Sequence, residues 1–113
     1  MNRNKLIDSF IANISNAMLH KILERAIADK KPETEEKYVK EMKNSWEIAK
    51  RYREKINPIN FPLPERDTEE IKRKVMTRVN AELRAREKRG YENINFALVD
   101  EFVEEALKDM NVV

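Results

Sequence analysis

The sequence predicts an all-α, four-helix bundle-like domain, and three observations carry that prediction. Apolar residues recur at steps of three and four over long stretches, the spacing of a helix that buries one face. No alternating apolar–polar run long enough for a strand occurs. Helix breakers are segregated: there is one glycine, Gly90, and three of the four prolines fall within "INPINFPLPERD", residues 56–67. At 113 residues the chain suits one helical domain spanning 1–113 rather than two.

The first helix is expected over about 4–29. Leu6, Ile7, Phe10, Ile11, Ile14, Ala17, Met18, Ile22, Leu23, Ala26 and Ile27 form one broad stripe. Residues 9–19 carry no charge, although 39% of the chain is Asp, Glu, Lys or Arg. A helix so apolar either lies centrally or packs against a second copy of the chain. The second helix is expected over 33–56. Pro32 suits its first turn, and Glu33, Glu35 and Glu36 complement its positive N-terminal end. Tyr38, Val39, Met42, Trp46, Ala49, Tyr52 and Ile56 repeat on one face, and Asn57, pushed out of helical geometry by Pro58, ends the helix.

An extended, proline-rich strap is expected over 57–66. In an extended chain Ile59, Phe61 and Leu63 fall on one side. At ~3.1 Å per residue such a strap reaches roughly 30 Å. It can run back along the bundle, placing the third helix beside the start of the second, or cross to a partner subunit; the first route is preferred. The third helix is expected over 67–89, capped by Asp67 with Glu70 completing a capping box, and with Ile71, Val75, Val79 and Leu83 inward. Gly90 then stands where a left-handed residue commonly ends a helix. The fourth helix, over 95–110, takes Asn95 as its cap and Phe96, Val99, Phe102, Val103, Ala106, Leu107 and Met110 as its inner face.

Charge separates sharply in the last third. Residues 72–89 hold eight bases against two acids, and residues 92–109 hold six acids against one base. On a helical wheel Arg73, Lys74, Arg78, Arg84 and Lys88 lie opposite the third helix's apolar stripe. Such a face can follow a phosphate backbone by displacing condensed counterions. The blander reading ranks first: the two helices form an antiparallel hairpin and largely neutralise one another. The stretch "AREKRGYENINFALVDEFVEEAL" resembles the last third of a histone fold, a long basic helix followed by a strap and a short helix. The resemblance covers only that third. "YENI" stands where histones carry a basic-hydroxyl strap, so no family is assigned from it.

The chemistry-bearing residues are sparse. His20 and Glu24 are four apart, but two ligands do not close a zinc site, and a solvated or interface histidine is the simpler reading. Asp100, Glu101, Glu104 and Glu105 read as the solvated face of a helix before they read as a cation site. With no cysteine, three scattered serines and one histidine, no nucleophile–base set, metal site or cofactor site is proposed, and the chain is read as a non-enzyme. Tyr38, Trp46 and Tyr52 have core spacing. No cysteine, no window of 18 apolar residues and an N-terminus, "MNRNKLIDSF", without a leader's apolar core point to a cytoplasmic protein without a membrane span. Abundant Lys and Glu without Gln or Cys is a thermophile-like composition.

The leading expectation is a small helical interaction or assembly protein, homodimeric or bound to another protein, with Phe10, Ile14, Met18, Ile59, Phe61 and Leu63 as its candidate interface. The alternative is a nucleic-acid-binding accessory protein using the basic face of the third helix, with Arg73, Lys74, Arg78, Arg84 and Lys88 as the contacts.

Overall fold

A computed structural model of the chain describes residues 2–27, 32–58 and 60–113. The described residues form helices α1 (Arg3–Ile27), α2 (Pro32–Ile56), α3 (Glu65–Lys88) and α4 (Leu98–Asp109), with no strand among them. The fold is all-α, as the periodicity requires, and each boundary lies within three residues of its expected place.

The helices do not close into a symmetrical bundle. α1 is the hub: its backbone lies close to that of every other helix and α3 lies close to α4, whereas the α2 backbone comes within 8 Å of neither α3 nor α4. The uncharged run explains the choice. Phe10, Ile11, Ile14, Ala17, Met18 and Leu19 are all at most 5% exposed within one chain. Burying each large side chain contributes about 1.5–3 kcal/mol, so the most apolar helix takes the position with most neighbours. Of the candidate interface residues, Phe10, Ile14 and Met18 therefore belong to the core of a single chain, as does Leu63. Ile59 lies outside the described residues.

α1 and α2 are antiparallel, tied near mid-length by Asn16 Nδ2, which donates to Ser45 Oγ at 2.6 Å. α3 runs parallel to α1. Arg3 at the start of α1 pairs with Asp67 at the start of α3, and Asn13 and Asn16 face the same cleft as Glu82 and Arg86. α4 returns antiparallel to α3: Lys72 reaches Glu104 at 2.6 Å, and Thr68 Oγ1 donates to the Val112 carbonyl at 2.7 Å. The start of α1, the end of α2, the start of α3 and the end of α4 thus meet at one pole.

That meeting overturns the preferred route for the strap. α3 starts beside the start of α1, at the pole where α2 ends, so the segment does not run back along the bundle. Instead it folds on itself, with the Phe61 N–H donating to the Pro58 carbonyl at 2.9 Å. Nor do its apolar side chains share an underside, because Leu63 is 6% exposed and Phe61 is 59% exposed. Three prolines fix φ but leave the chain free to turn between them. Asp67 is not the cap of α3 either. The helix begins two residues earlier, after Pro64, without a side-chain cap, and Asp67 serves Arg3.

Both later helices end in the same motif. Gly90 (φ 97°) follows α3, with its N–H on the Glu87 carbonyl and the Tyr91 N–H on that of Arg86. Asn111 (φ 53°) follows α4, with its N–H on Lys108 and the Val112 N–H on Leu107. Each is the paired 6→1 and 5→2 arrangement that a left-handed C′ residue permits. Asn95 stands ahead of α4 rather than directly at its start: its Oδ1 accepts the Ala97 N–H at 3.1 Å, and the turn it makes leads into Leu98.

The pole is organised by one side chain. Arg53 is fully buried and has no carboxylate partner among the described residues. Its Nε donates to the Met110 carbonyl at 2.8 Å. Nη1 donates to the Asn57 carbonyl at 3.1 Å and to Asn57 Oδ1 at 2.5 Å. Nη2 donates to the carbonyls of Phe61 at 2.8 Å and Asn111 at 3.0 Å. A guanidinium offers five N–H donors in a fixed fork, and here five oxygens receive them. Burial pushes the Arg53 pKa below that of a free arginine. It remains a cation, because the carbonyls at the ends of α2 and α4 carry the negative ends of those helix dipoles.

Two predictions test this packing. Arg53→Met leaves those oxygens buried and unpaired and should cost about 3–5 kcal/mol in urea denaturation, the range for removing one side of a buried charged network. Arg53→Lys should recover little, since three donors on a point charge cannot reach four separate residues; a lysine variant as stable as the parent would refute the clamp. Separately, Leu63→Ala should cost about 2–4 kcal/mol. Phe61→Asp should change stability by less than about 0.5 kcal/mol, and thermal melts of the two variants distinguish the packed residue from the exposed one.

Candidate polyanion interface

α3 turns Ile71, Val75, Val79 and Leu83 inward, each at 0% exposure. A helix that buries those positions must turn Arg73, Arg84 and Lys88 outward, and all three are exposed, as is Arg78 on the flank. None of these four makes an ion pair within 4.0 Å among the described residues. Lys74 differs: it pairs with Glu70 at 2.9 Å, and the hydrogen bond from its ammonium, with its charge, holds the Glu70 carboxyl below the usual range. Glu70 lies one turn before the basic stretch and dilutes its N-terminal end.

The expected neutralisation between α3 and α4 is confined to one contact. Lys72 bonds Glu104, whose carboxyl it holds below its ordinary value, and no other α3–α4 ion pair occurs among the described residues. Arg86 pairs within its own helix, to Glu82 at 2.9 Å. From Arg73 to Lys88 the open bases extend over roughly 22 Å, at 1.5 Å per residue.

Elsewhere the chemistry-bearing residues are occupied locally. The His20 Nδ1 stands 2.8 Å from the Asn16 carbonyl, so Nδ1 carries the proton and donates. The ring meets Tyr38 edge-on at 5.5 Å. Glu24 leans towards Glu35 on α2 rather than towards the histidine. Burial first, then the hydrogen bond and charge of Glu35, raise its carboxyl above the usual value. Tyr38 donates to the Tyr91 hydroxyl at 3.5 Å and is pushed up to about 12, chiefly by burial. Tyr38, Trp46 and Tyr52 pack half-buried against the core. No helix among the described residues is long and apolar enough to cross a membrane.

Compared with protein-family models, curated proteins and solved structures, the chain finds no match.

The Glu24–Glu35 contact has a definite pH signature. The folded-state pKa of Glu24 lies above its unfolded value, so its protonated form favours the fold. That stability is complete below the ordinary carboxylate range and is lost as pH rises through the folded value. Glu24→Gln should therefore be more stable than the parent at pH 7, by about 0.2–0.5 kcal/mol or ~1–4 °C in Tm, the scale of a relieved like-charge pair. The advantage should vanish in acid, and a constant advantage across the pH range would contradict the shared contact.

Proposed function

We propose that this chain is a non-enzymatic binding protein whose partner is a nucleic-acid backbone, held along the outer face of α3. The observation that carries the reading is the state of Arg73, Arg78, Arg84 and Lys88. All four are exposed, and none is neutralised by the acidic α4 beside them. Unpaired bases on a single helix face bind phosphates by releasing counterions, without reading base edges. α4 is no recognition helix: its exposed Asp100, Glu101, Glu104 and Glu105 repel a strand, so contact is confined to α3.

The assembly reading has less support. The uncharged run that motivated a homodimer is absorbed by α1's own neighbours, leaving Phe61 as the exposed member of that candidate interface among the described residues.

Fluorescence anisotropy with short DNA and RNA duplexes tests the proposal. Binding should be independent of sequence, with log K falling against log salt at a slope of about −3 to −4 for four phosphates. Arg73→Glu combined with Arg84→Glu should abolish it while the thermal melt is unchanged. No binding at low salt, or binding retained by the double variant, would overturn the reading.

A further inference from the structure

Because the backbones of α2 and α3 stay more than 8 Å apart, the face of α1 between α2 and α3 lies at the floor of a trough. Midway along α1 lies a pocket of about 320 Å³ lined by Asn13, Ser15 and Asn16 of α1 and by Arg78, Glu82 and Arg86 of α3. That volume is about ten times a water molecule's share of liquid and stands at the small end of ligand sites, which span roughly 300–1,000 Å³.

Ser15 sets this pocket apart. It is 3% exposed, and its Oγ is buried without a hydrogen-bond partner. A buried hydroxyl left unpaired is destabilising, and alanine at that position would avoid the cost. Arg78 lines the same pocket without an ion pair, whereas the Arg86 guanidinium at the rim already neutralises Glu82 at 2.9 Å. Each side-chain amide commits one N–H within the protein, Asn13 to the Ser9 carbonyl and Asn16 to Ser45 Oγ, and keeps a second. The pocket therefore offers the Arg78 cation, the buried Ser15 hydroxyl and the second N–H of each amide, the complement of an oxyanion.

We propose that this pocket binds the phosphate group of a small phosphorylated metabolite, with Arg78 supplying charge and Ser15 Oγ–H a directed hydrogen bond. The site does not rest on the reading of α3's outer face. It opens on the flank turned towards α1, and Arg78 is the residue the two surfaces share.

The test uses inorganic phosphate, titrated at constant ionic strength against chloride. Amide resonances of residues 12–19 and 78–86 should shift saturably, with Kd on the order of millimolar for so small an ion, and Tm should rise with phosphate. Ser15→Ala is the decisive variant. Without phosphate it should melt at or above the parent's temperature, because it removes an unpaired buried hydroxyl. It should also lose most of the phosphate-dependent rise, an effect that loss of packing does not produce. Glu82→Gln should tighten binding by removing the pocket's carboxylate. Arg73→Glu with Arg84→Glu should leave the phosphate response intact while abolishing strand binding, so each reading can fail alone. Absence of saturable shifts, or a Ser15→Ala response equal to the parent's, overturns the proposal; the latter result would show that water alone serves the hydroxyl.

Discussion

A guanidinium at zero exposure, with no carboxylate paired to it among the described residues, is sustained here because two helices end on it. The carbonyls that terminate α2 and α4 have no partners inside their own helices, and they carry the negative poles of those helices. Arg53 meets both needs together. The carbonyls gain donors that water would otherwise supply, and the cation gains a field that offsets its desolvation. The fork is planar and rigid, so satisfying it fixes the relative placement of residues 53, 57, 61, 110 and 111. Everything downstream depends on that placement. Once the carbonyl of Phe61 is held next to the end of α2, α3 has to begin at that pole, and it can only run parallel to α1.

The parallel course of α3 in turn shapes the surface. α2 and α3 flank α1 without meeting, so the polar stripe of α1 through Ser9, Asn13, Asn16 and His20 is not sealed in an apolar core. Its members settle their hydrogen bonds within the stripe or across to Ser45 of α2. Ser15 sits just off that stripe, on the wall of the pocket between α1 and α3, and its buried hydroxyl joins no bond of the network.

How much of this was legible follows from where each signal resides. Gly90 could be placed from sequence because a left-handed helix end selects glycine almost uniquely; Asn111 plays the same part but is one of many asparagines. The apolar stripes of α1, α3 and α4 could be read because helical spacing encodes them directly. The clamp could not, because every one of its acceptors belongs to a main-chain carbonyl or to a neighbouring asparagine, and carbonyls leave no mark in sequence. One clue was present: Arg53 follows Ser45 and Ala49 at steps of four, a cation on the buried line of α2. The strap misled for a related reason. Its prolines announce restricted φ, yet its route is set by where Arg53 requires the Phe61 carbonyl. The basic face was visible on a helical wheel, but its openness depends on a packing partner that no single-helix reading includes.

That openness is a matter of length as well as sequence. α3 has 24 residues and α4 has 12. At 1.5 Å per residue that is roughly 36 Å against 18 Å. The contacts Thr68–Val112 and Lys72–Glu104 fix the antiparallel register, so α4 accompanies only the first half of α3. Beside the second half runs the segment 89–97, whose sole acid is Glu92. Arg84 and Lys88 therefore lie beyond the reach of the acids that seem, on a count of charges, to balance them. Even alongside α4, both helices bury their apolar stripes, Val75 and Val103 among them, in one core, which keeps most charges of both helices turned outward. Two helices of opposite net charge are thus held together mainly by their uncharged faces, and the positive field of α3 survives next to a negative neighbour because, among the described residues, Lys72–Glu104 is the one ion pair between them.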